Sequence, residues 1–309
     1  MNRDDRIYVA GHRGLVGAAI VRRLRAEGHE NLVLKTRDQV DLRSQAAVDA
    51  FFEQERPAYV FLAAAKVGGI LANDSYPADF IRDNLQIEMN VVDAAHRYGA
   101  SKLLFLGSSC IYPKFAAQPL REDALLTGPL EPTNEWYSIA KIAGIKLCQA
   151  YRKQYNFNAI ATMPTNLYGP GDNFDLQASH VLPALLRKFH EGKQRGAAAV
   201  EVWGSGRPRR EFLHVDDLAD AAVFLMRGYD SAEIINVGVG EDISIADLAM
   251  LVKRVVGFRG DIVFDPTKPD GTPRKLLDVS KLKALGWSAC IGLEEGLRQT
   301  YAWFQEHSA

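Results

Sequence analysis

The chain has 309 residues, 47% of them hydrophobic, and a formal net charge of −1. That length can bury a large core and hold two domains, and the near-neutral balance leaves no basic footprint for nucleic acid. No apolar run approaches the roughly 20 residues needed to cross a bilayer, and Met1-Asn2-Arg3-Asp4-Asp5 lacks a signal-peptide apolar region. Three cysteines without metal-ligand spacing suit a cytoplasmic chain with neither a disulfide framework nor a metal centre.

In chain order, apolar runs near 6–10, 31–35, 59–64, 102–107 and 158–163 read as strands. Stretches of helical periodicity near 14–27, 44–55, 77–98 and 134–155 lie between them. This alternation predicts an α/β fold, a doubly wound parallel sheet of Rossmann type with right-handed crossovers. Beyond Tyr168-Gly169-Pro170-Gly171-Asp172 the pattern changes to loops, a helix over Leu182 to His190, and isolated strands such as Val200 to Trp203. Phe212 to Val215, a helix over Leu218 to Met226 and a strand over Ile234 to Val237 read as one more return to the main sheet. The expected division is a cofactor-binding domain of residues 1–170 plus 212–240 and a smaller α/β substrate domain of 171–211 plus 241–309.

The first strand runs directly into Gly11-His12-Arg13-Gly14-Leu15-Val16-Gly17 and a helix. Exposed backbone N–H groups and a helix N-terminus there make a cradle for a pyrophosphate, with glycines for the tight turn and close approach. After the second strand, Arg37 together with Arg13 could converge on a 2′-phosphate, and Asp38 stands one place late for a ribose carboxylate. NADP is therefore favoured over NAD. Ligands of such sheets bind at the carboxyl ends of the strands, where Gly11, Arg37, Ala63 to Gly69, Ser108 to Cys110 and Pro164 to Leu167 fall.

Tyr137-x-x-x-Lys141 lies in a helical stretch with Ala140, Ala143, Ile145 and Leu147 at apolar positions. Residues four apart share a helix face, so the Lys141 ammonium can sit beside the Tyr137 phenol and favour its ionised form. Tyr98-x-x-x-Lys102 has the same spacing, but Gly99 interrupts it and Lys102 opens a strand. Upstream stand Gly107-Ser108-Ser109-Cys110; in an extended segment the side chains of Ser108 and Cys110 point the same way. Read alone, Cys110 also fits a small buried hydrophobe, and His180, ahead of a helix, fits a cap or surface residue. The remaining histidines, His214 included, read as structural.

These motifs resemble the extended short-chain dehydrogenase/reductases, and within them the GDP-L-fucose synthase family. The similarity runs along the chain through Ala65-Lys66-Val67-Gly68-Gly69, Gly107-Ser108-Ser109-Cys110-Ile111-Tyr112-Pro113, Met163-Pro164-Thr165-Asn166-Leu167-Tyr168-Gly169-Pro170, Arg210-Glu211-Phe212-Leu213-His214-Val215-Asp216-Asp217 and Lys268-Pro269-Asp270-Gly271-Thr272-Pro273-Arg274-Lys275. Trp136 departs from it, where a smaller residue or proline is expected.

The resemblance implies an enzyme that takes GDP-4-keto-6-deoxy-D-mannose to GDP-L-fucose with NADPH, by epimerisation at C3 and C5 and reduction at C4. It implies Tyr137 as proton donor, Lys141 as its tuning partner and ribose ligand, Ser108 as donor to the ketone oxygen, and Cys110 and His180 as base and acid. Cofactor contacts are implied for residues 11–17, Arg37, Asp41, Leu42, Ala63, Ala64, Ala65, Gly107, Ser108, Lys141, Pro164, Thr165, Asn166, Leu167 and His180. Lys188, Trp203, Arg210 and Asp270 are implied for the nucleotide half of the substrate, and a homodimer through the helices near 77–98 and 134–155. Alternatives are another nucleotide-sugar 4-epimerase, dehydratase or reductase, an NADP-sensing protein without catalysis, and a scaffold that has kept the fold without ligand. Intact tyrosine, lysine and serine weigh against the last two, which fold alone does not exclude.

Overall fold

The structure is a computed structural model that describes residues 1–176, 179–268 and 270–307. Pro269, from one of the segments above, lies outside the described residues. Strand β1 (Ile7–Ala10) is fully buried and leads through the glycine turn to helix α1 (Leu15–Ala26). Then follow β2 (Leu32–Val33), α2 (Gln45–Glu55), β3 (Tyr59–Leu62), a short α3 (Ile70–Ser75), α4 (Pro77–Arg97) and β4 (Lys102–Leu106). Helix α4 starts on Pro77, whose fixed φ suits a first helical position. Helix α5 (Glu135–Tyr155) ends at Asn156 in the left-handed region, an ordinary helix stop.

Strands β5 (Ala159–Pro164) and β6 (Asn166–Tyr168) come next, then α6 (Val181–Gln194) and β7 (Ala199–Trp203). Strands β8 (Arg209–Arg210) and β9 (Phe212–His214) precede α7 (Val215–Gly228), β10 (Ile235–Val237), β11 (Ile243–Ser244) and α8 (Ile245–Val256). The chain closes with β12 (Asp261–Asp265), β13 (Arg274–Lys275), α9 (Ser280–Ala284) and α10 (Leu293–His307).

The main sheet is parallel with the order β10-β5-β4-β3-β1-β2, as the alternation requires. Its order reverses beside β1: helix α1, which follows β1, packs on one face, and α2 and α4, which follow β2 and β3, pack on the other. The crevice this opens sits at the Gly11 turn and the exit of β3, the ordinary ligand position in such sheets. One core cluster holds Tyr8, Phe51, Phe52, Phe105 and Ile145; a second, on the other face, holds Ile20, Leu24, Phe61, Leu104 and Leu218. Helices α4 and α5 pack closely against each other on the first face.

The return to the sheet differs in detail from the expected one. Strand β9 pairs with β6 in a separate two-stranded ladder, and β10 alone rejoins the main sheet beside β5. Strand β7 is not isolated either: it pairs in parallel with β12 over five residues. These small sheets, with α6, α8 and α10, enclose a third cluster around Leu186, Phe189, Leu248, Val252 and Phe304. Strands β11, β8 and β13 form a third small sheet that carries Arg210 and Lys275 to the strand ends of the main sheet. Among the described residues no helix is long and apolar enough to cross a membrane.

Candidate active site

The glycine turn is built for close approach. Gly11 has φ +82°, and a Cβ there would lie 2.8 Å from the Ala64 backbone nitrogen. Gly17 allows less still, because an added Cβ would meet Gly11 O at 2.1 Å. Gly14 caps α1 with no side chain in place over the helix N–H groups, and His12 Nδ1 is buried without a partner. Arg13 and Arg37 are exposed beside the turn. An unpartnered ring nitrogen, a bare helix N-terminus and two exposed guanidinium groups fit the phosphates of a dinucleotide carrying a 2′-phosphate.

Other expected cofactor positions divide into backbone and side-chain sites. Ala63, Ala64 and Ala65 follow β3 and are half-buried, with Ala63 N–H bonded to Ala10 O at 3.1 Å. Leu42 is buried, and its carbonyl accepts from Asn90 at 2.9 Å. The Asp41 carboxylate is engaged by Arg43, whose hydrogen bonds hold its pKa down to about 2. Gly107 lies against Met163, 2.6 Å from where its Cβ would be. Pro164 ends β5, Thr165 and Asn166 donate to Glu211 O, and Leu167 packs partly into the second cluster.

Ser108, Cys110, Tyr137 and Lys141 meet where the turn after β4 faces the start of α5. The turn is not extended, as expected from side-chain alternation. Ser108 caps a single 3-10 turn over Ser109–Ile111, and its hydroxyl accepts the Cys110 N–H at 3.2 Å. Cys110 Sγ is approached by Lys275 Nζ and by Asn134 Nδ2, each at 3.4 Å. Desolvation pushes the thiol pKa up, but Lys275 and the hydrogen bonds from Ser108, Lys275 and Asn134 outweigh it and leave it lowered. Such a cysteine carries thiolate more readily than a free one.

Tyr137 is half-buried, and its ring stands edge-on to Phe80 at 6.5 Å. Burial is the main cause of an upward shift of its phenol, with Cys110 and Glu88 adding to it and a Ser108 hydrogen bond opposing. The expected pairing with Lys141 is therefore altered. Lys141 does share the helix face, 5.9 Å from the Tyr137 ring centroid, but its ammonium is held 3.1 Å from the buried carboxylate of Glu88.

His180 is the N-cap of α6 and opens onto the cleft, yet lies deep enough for desolvation to lower its pKa, with Lys275 adding to the shift. On the far side, Lys188 Nζ sits 4.7 Å from the Trp203 ring, and Lys268 Nζ stands 5.5 Å from the same ring. Arg187 turns away to Glu191, so of these two neighbours it is Lys188 that faces the indole. Ser205 fixes both Asp270 carboxylate oxygens, and Arg210 reaches the Asp270 carbonyl at 3.4 Å. Lys188, Trp203, Arg210 and Asp270 thus come from four separate segments to one side of the cleft.

Four partners in the site escaped the sequence reading. Lys275 and Lys268 lay inside a quoted segment without a role. Asn134 stood at the start of the expected helix 134–155 without a role. Glu88 carried a readable signal: Asn84, Val91, Val92 and Ala95 place it on the buried stripe of α4.

Comparison with known proteins identifies the family. The sequence profile of the NAD dependent epimerase/dehydratase family matches residues 7–238. GDP-L-fucose synthase 1 of Arabidopsis thaliana is 63% identical over 98% of this chain and 94% of its own. GDP-L-fucose synthase of Escherichia coli K12 is 56% identical over 98% and 97%. The crystal structure of a GDP-L-fucose synthetase from Naegleria fowleri bound to NADP superposes with a TM-score of 0.92 at 31% identity, covering 100% of this chain and 96% of that one. The chain belongs to the NAD dependent epimerase/dehydratase family, and within it is similar to the GDP-L-fucose synthases.

Proposed function

We propose that this NADP-dependent enzyme converts GDP-4-keto-6-deoxy-D-mannose into GDP-L-fucose by epimerising C3 and C5 and reducing C4. The observation that carries the reading is the position of Cys110. A thiol favoured as thiolate by Lys275 stands in one site with a phenol that keeps its proton. Epimerisation needs a base near neutrality; ketone reduction needs an acid.

The C4 ketone acidifies the C3 and C5 hydrogens by allowing an enolate. One of Cys110 and His180 removes a proton and the other returns one to the opposite face of the ring. The Cys110 thiol is drawn down towards working pH, and burial with Lys275 lowers the His180 imidazole, favouring its neutral form. Ser108 donates to the C4 oxygen and stabilises charge as it develops there; one such donor is worth about 3 kcal/mol in comparable sites. Bound NADPH supplies the hydride that reduces C4. Tyr137 gives its proton to the C4 oxygen, completing the alcohol. Residues 11–17, Arg37, the exit of β3, Gly107, Lys141 and residues 164–167 hold the dinucleotide.

Lys188, Trp203, Arg210 and Asp270 receive the nucleotide half of the substrate, cations towards the diphosphate and the indole face towards the base. We assign these to a sugar-nucleotide unit of residues 171–211 and 241–309, set against the NADP unit of 1–170 and 212–240. Exposed Met89 and Ile139 on α4 and α5 support a homodimer through those helices. We assign the enzyme to the cytoplasm, as its three cysteines without disulfide spacing suggest.

The test is incubation of the purified protein with GDP-4-keto-6-deoxy-D-mannose and NADPH, with the product identified by NMR. GDP-L-fucose is expected, and Cys110→Ser should bind NADPH with loss of epimerised product. Turnover of a different nucleotide sugar, with none of this one, would overturn the substrate assignment.

A further inference from the structure

Strand β13 carries Lys275 to Cys110, and one buried side chain grips the segment that follows it. Glu211, between the end of β8 and the start of β9, is 0% exposed. Its Oε1 accepts the backbone N–H groups of Val239 and Gly240 at 2.6 and 2.7 Å, and its Oε2 accepts that of Leu277 at 2.8 Å. The Glu211 N–H donates to Lys275 O at 3.3 Å, so this residue holds the chain on both sides of Leu276. Gly238 makes the room: a Cβ there would lie 2.2 Å from Glu211 Oε1. Three N–H donors suit the ionised, acceptor-only carboxylate. A buried carboxylate costs stability that an apolar side chain would not, so packing alone is a weak account of it.

We propose that Glu211 is a positioning residue for epimerisation: its carboxylate ties the Lys275 strand to the exit of β10 and so holds the Lys275 ammonium against Cys110. The inference rests on Cys110 as an epimerising group, the reading given above. A lysine stem is flexible, so the place of its ammonium depends on the strand beneath it. Lys275 Nζ is 3.4 Å from Sγ, and a drift of about 1 Å would end that contact. The Glu211 carbonyl also accepts from Thr165 Oγ1 at 3.3 Å and Asn166 Nδ2 at 2.8 Å, and Arg210 is in register with Lys275. One residue thus joins the strand that activates the thiol to the segments read as holding dinucleotide and diphosphate.

The charged groups around this link come from several elements. Lys275 lowers both the Cys110 thiol and the His180 imidazole, while Cys110 raises the Tyr137 phenol and acts on Arg210. Burial raises the Glu211 carboxyl, and the N–H groups of Gly240, Leu277 and Val239 oppose that shift.

The experiment is a double-mutant cycle on the whole protein, read as the pH midpoint of Cys110 alkylation by iodoacetamide with peptide mass spectrometry. Glu211→Gln turns an NH2 group towards N–H donors and loosens the grip. Leu276 stays held from its other edge by Gln118 Oε1 at 3.0 Å and Leu120 N–H at 2.7 Å, which preserves the fold while Lys275 loses its tie. The midpoint should rise by at least about half a pH unit, within the one to two units or so that loss of the whole charged hydrogen bond represents. In a Lys275→Met background the same substitution should add no further rise. An unchanged midpoint in Glu211→Gln, or an equal rise in both backgrounds, would overturn the proposal; the latter is what general loosening of the site produces. Should Glu211→Gln fail to fold, Glu211→Asp, with the charge kept and one methylene fewer to reach the three donors, is judged in the same cycle by the same criteria. A wild type that exchanges no deuterium at C3 and C5 of the keto sugar would sink the role given to Cys110, and the alkylation cycle would still judge Glu211.

Discussion

Replacing Lys275 by Met should separate the thiol of Cys110 from the charge that activates it. Lys275 Nζ lies 3.4 Å from Sγ and is the largest influence pulling that thiol down against its burial. A hydrogen bond to a charged group contributes about 1.5–3 kcal/mol, which corresponds to about one to two pH units. The assay is site-resolved alkylation by iodoacetamide across pH, read by peptide mass spectrometry. Cys148, pushed up to about 12, and Cys290, held up by the Asp217 carboxylate, serve as unreactive controls in the same sample. The midpoint for Cys110 should rise by about one to two pH units in Lys275→Met and return most of the way in Lys275→Arg. Deuterium exchange at C3 and C5 near pH 7 should fall by roughly 10- to 100-fold in parallel, since only thiolate serves as base. An unchanged midpoint in the Met variant would refute the claim that this ammonium sets the thiol's ionisation.

Two further outcomes follow from the backbone and from burial. Gly17→Ala places a Cβ 2.1 Å from Gly11 O and 2.8 Å from His12 Cα, both backbone; NADPH affinity by calorimetry should weaken at least about tenfold, and an unchanged Kd would disprove the cradle. Asp172 has its pKa pushed up to about 7 by burial, with Oδ2 unpartnered. The folded state therefore holds a proton that the unfolded chain has released, so stability falls as pH rises from about 4 to 7. Asp172→Asn does not titrate and should be more stable than the wild type by roughly 2–4 kcal/mol at pH 8, with little difference at pH 4. Denaturant melts that show the same gap at both pH values would contradict the linkage.

Periodicity carried the nucleotide half of the molecule in the sequence because its contacts are local in pattern. The run Ile7 to Ala10 ends on a glycine turn, and α4 and α5 each present a long apolar stripe, so their types and near-ends were legible. The smaller lobe was not legible in the same way. Strand β7 alternates exposed and buried residues, but nothing local says that it pairs with β12, which follows after two intervening helices. Short edge strands are specified by their partners more than by their own composition. The turn at Ser108 failed for a different reason: a capping hydroxyl competes with extended backbone, and the Ser108 bond to Cys110 N–H wins.

The site residues divide along the same line. Tyr137 and Lys141 could be placed on one helix face by counting, but the carboxylate that pairs with Lys141 could not, because it comes from another helix. Likewise Cys110 could be named, while the lysine that activates it sits 165 positions away in sequence. The two ammonium groups are used oppositely. Lys141 is paired with the buried Glu88 carboxylate, whereas Lys275 faces Cys110 and favours a thiolate. Neighbouring groups with pKa values driven apart are how one site holds an acid and a base at the same pH. The coupling also orders the chemistry, because thiolate at Cys110 raises the Tyr137 phenol further. While the epimerising base is charged, the reducing acid is kept protonated.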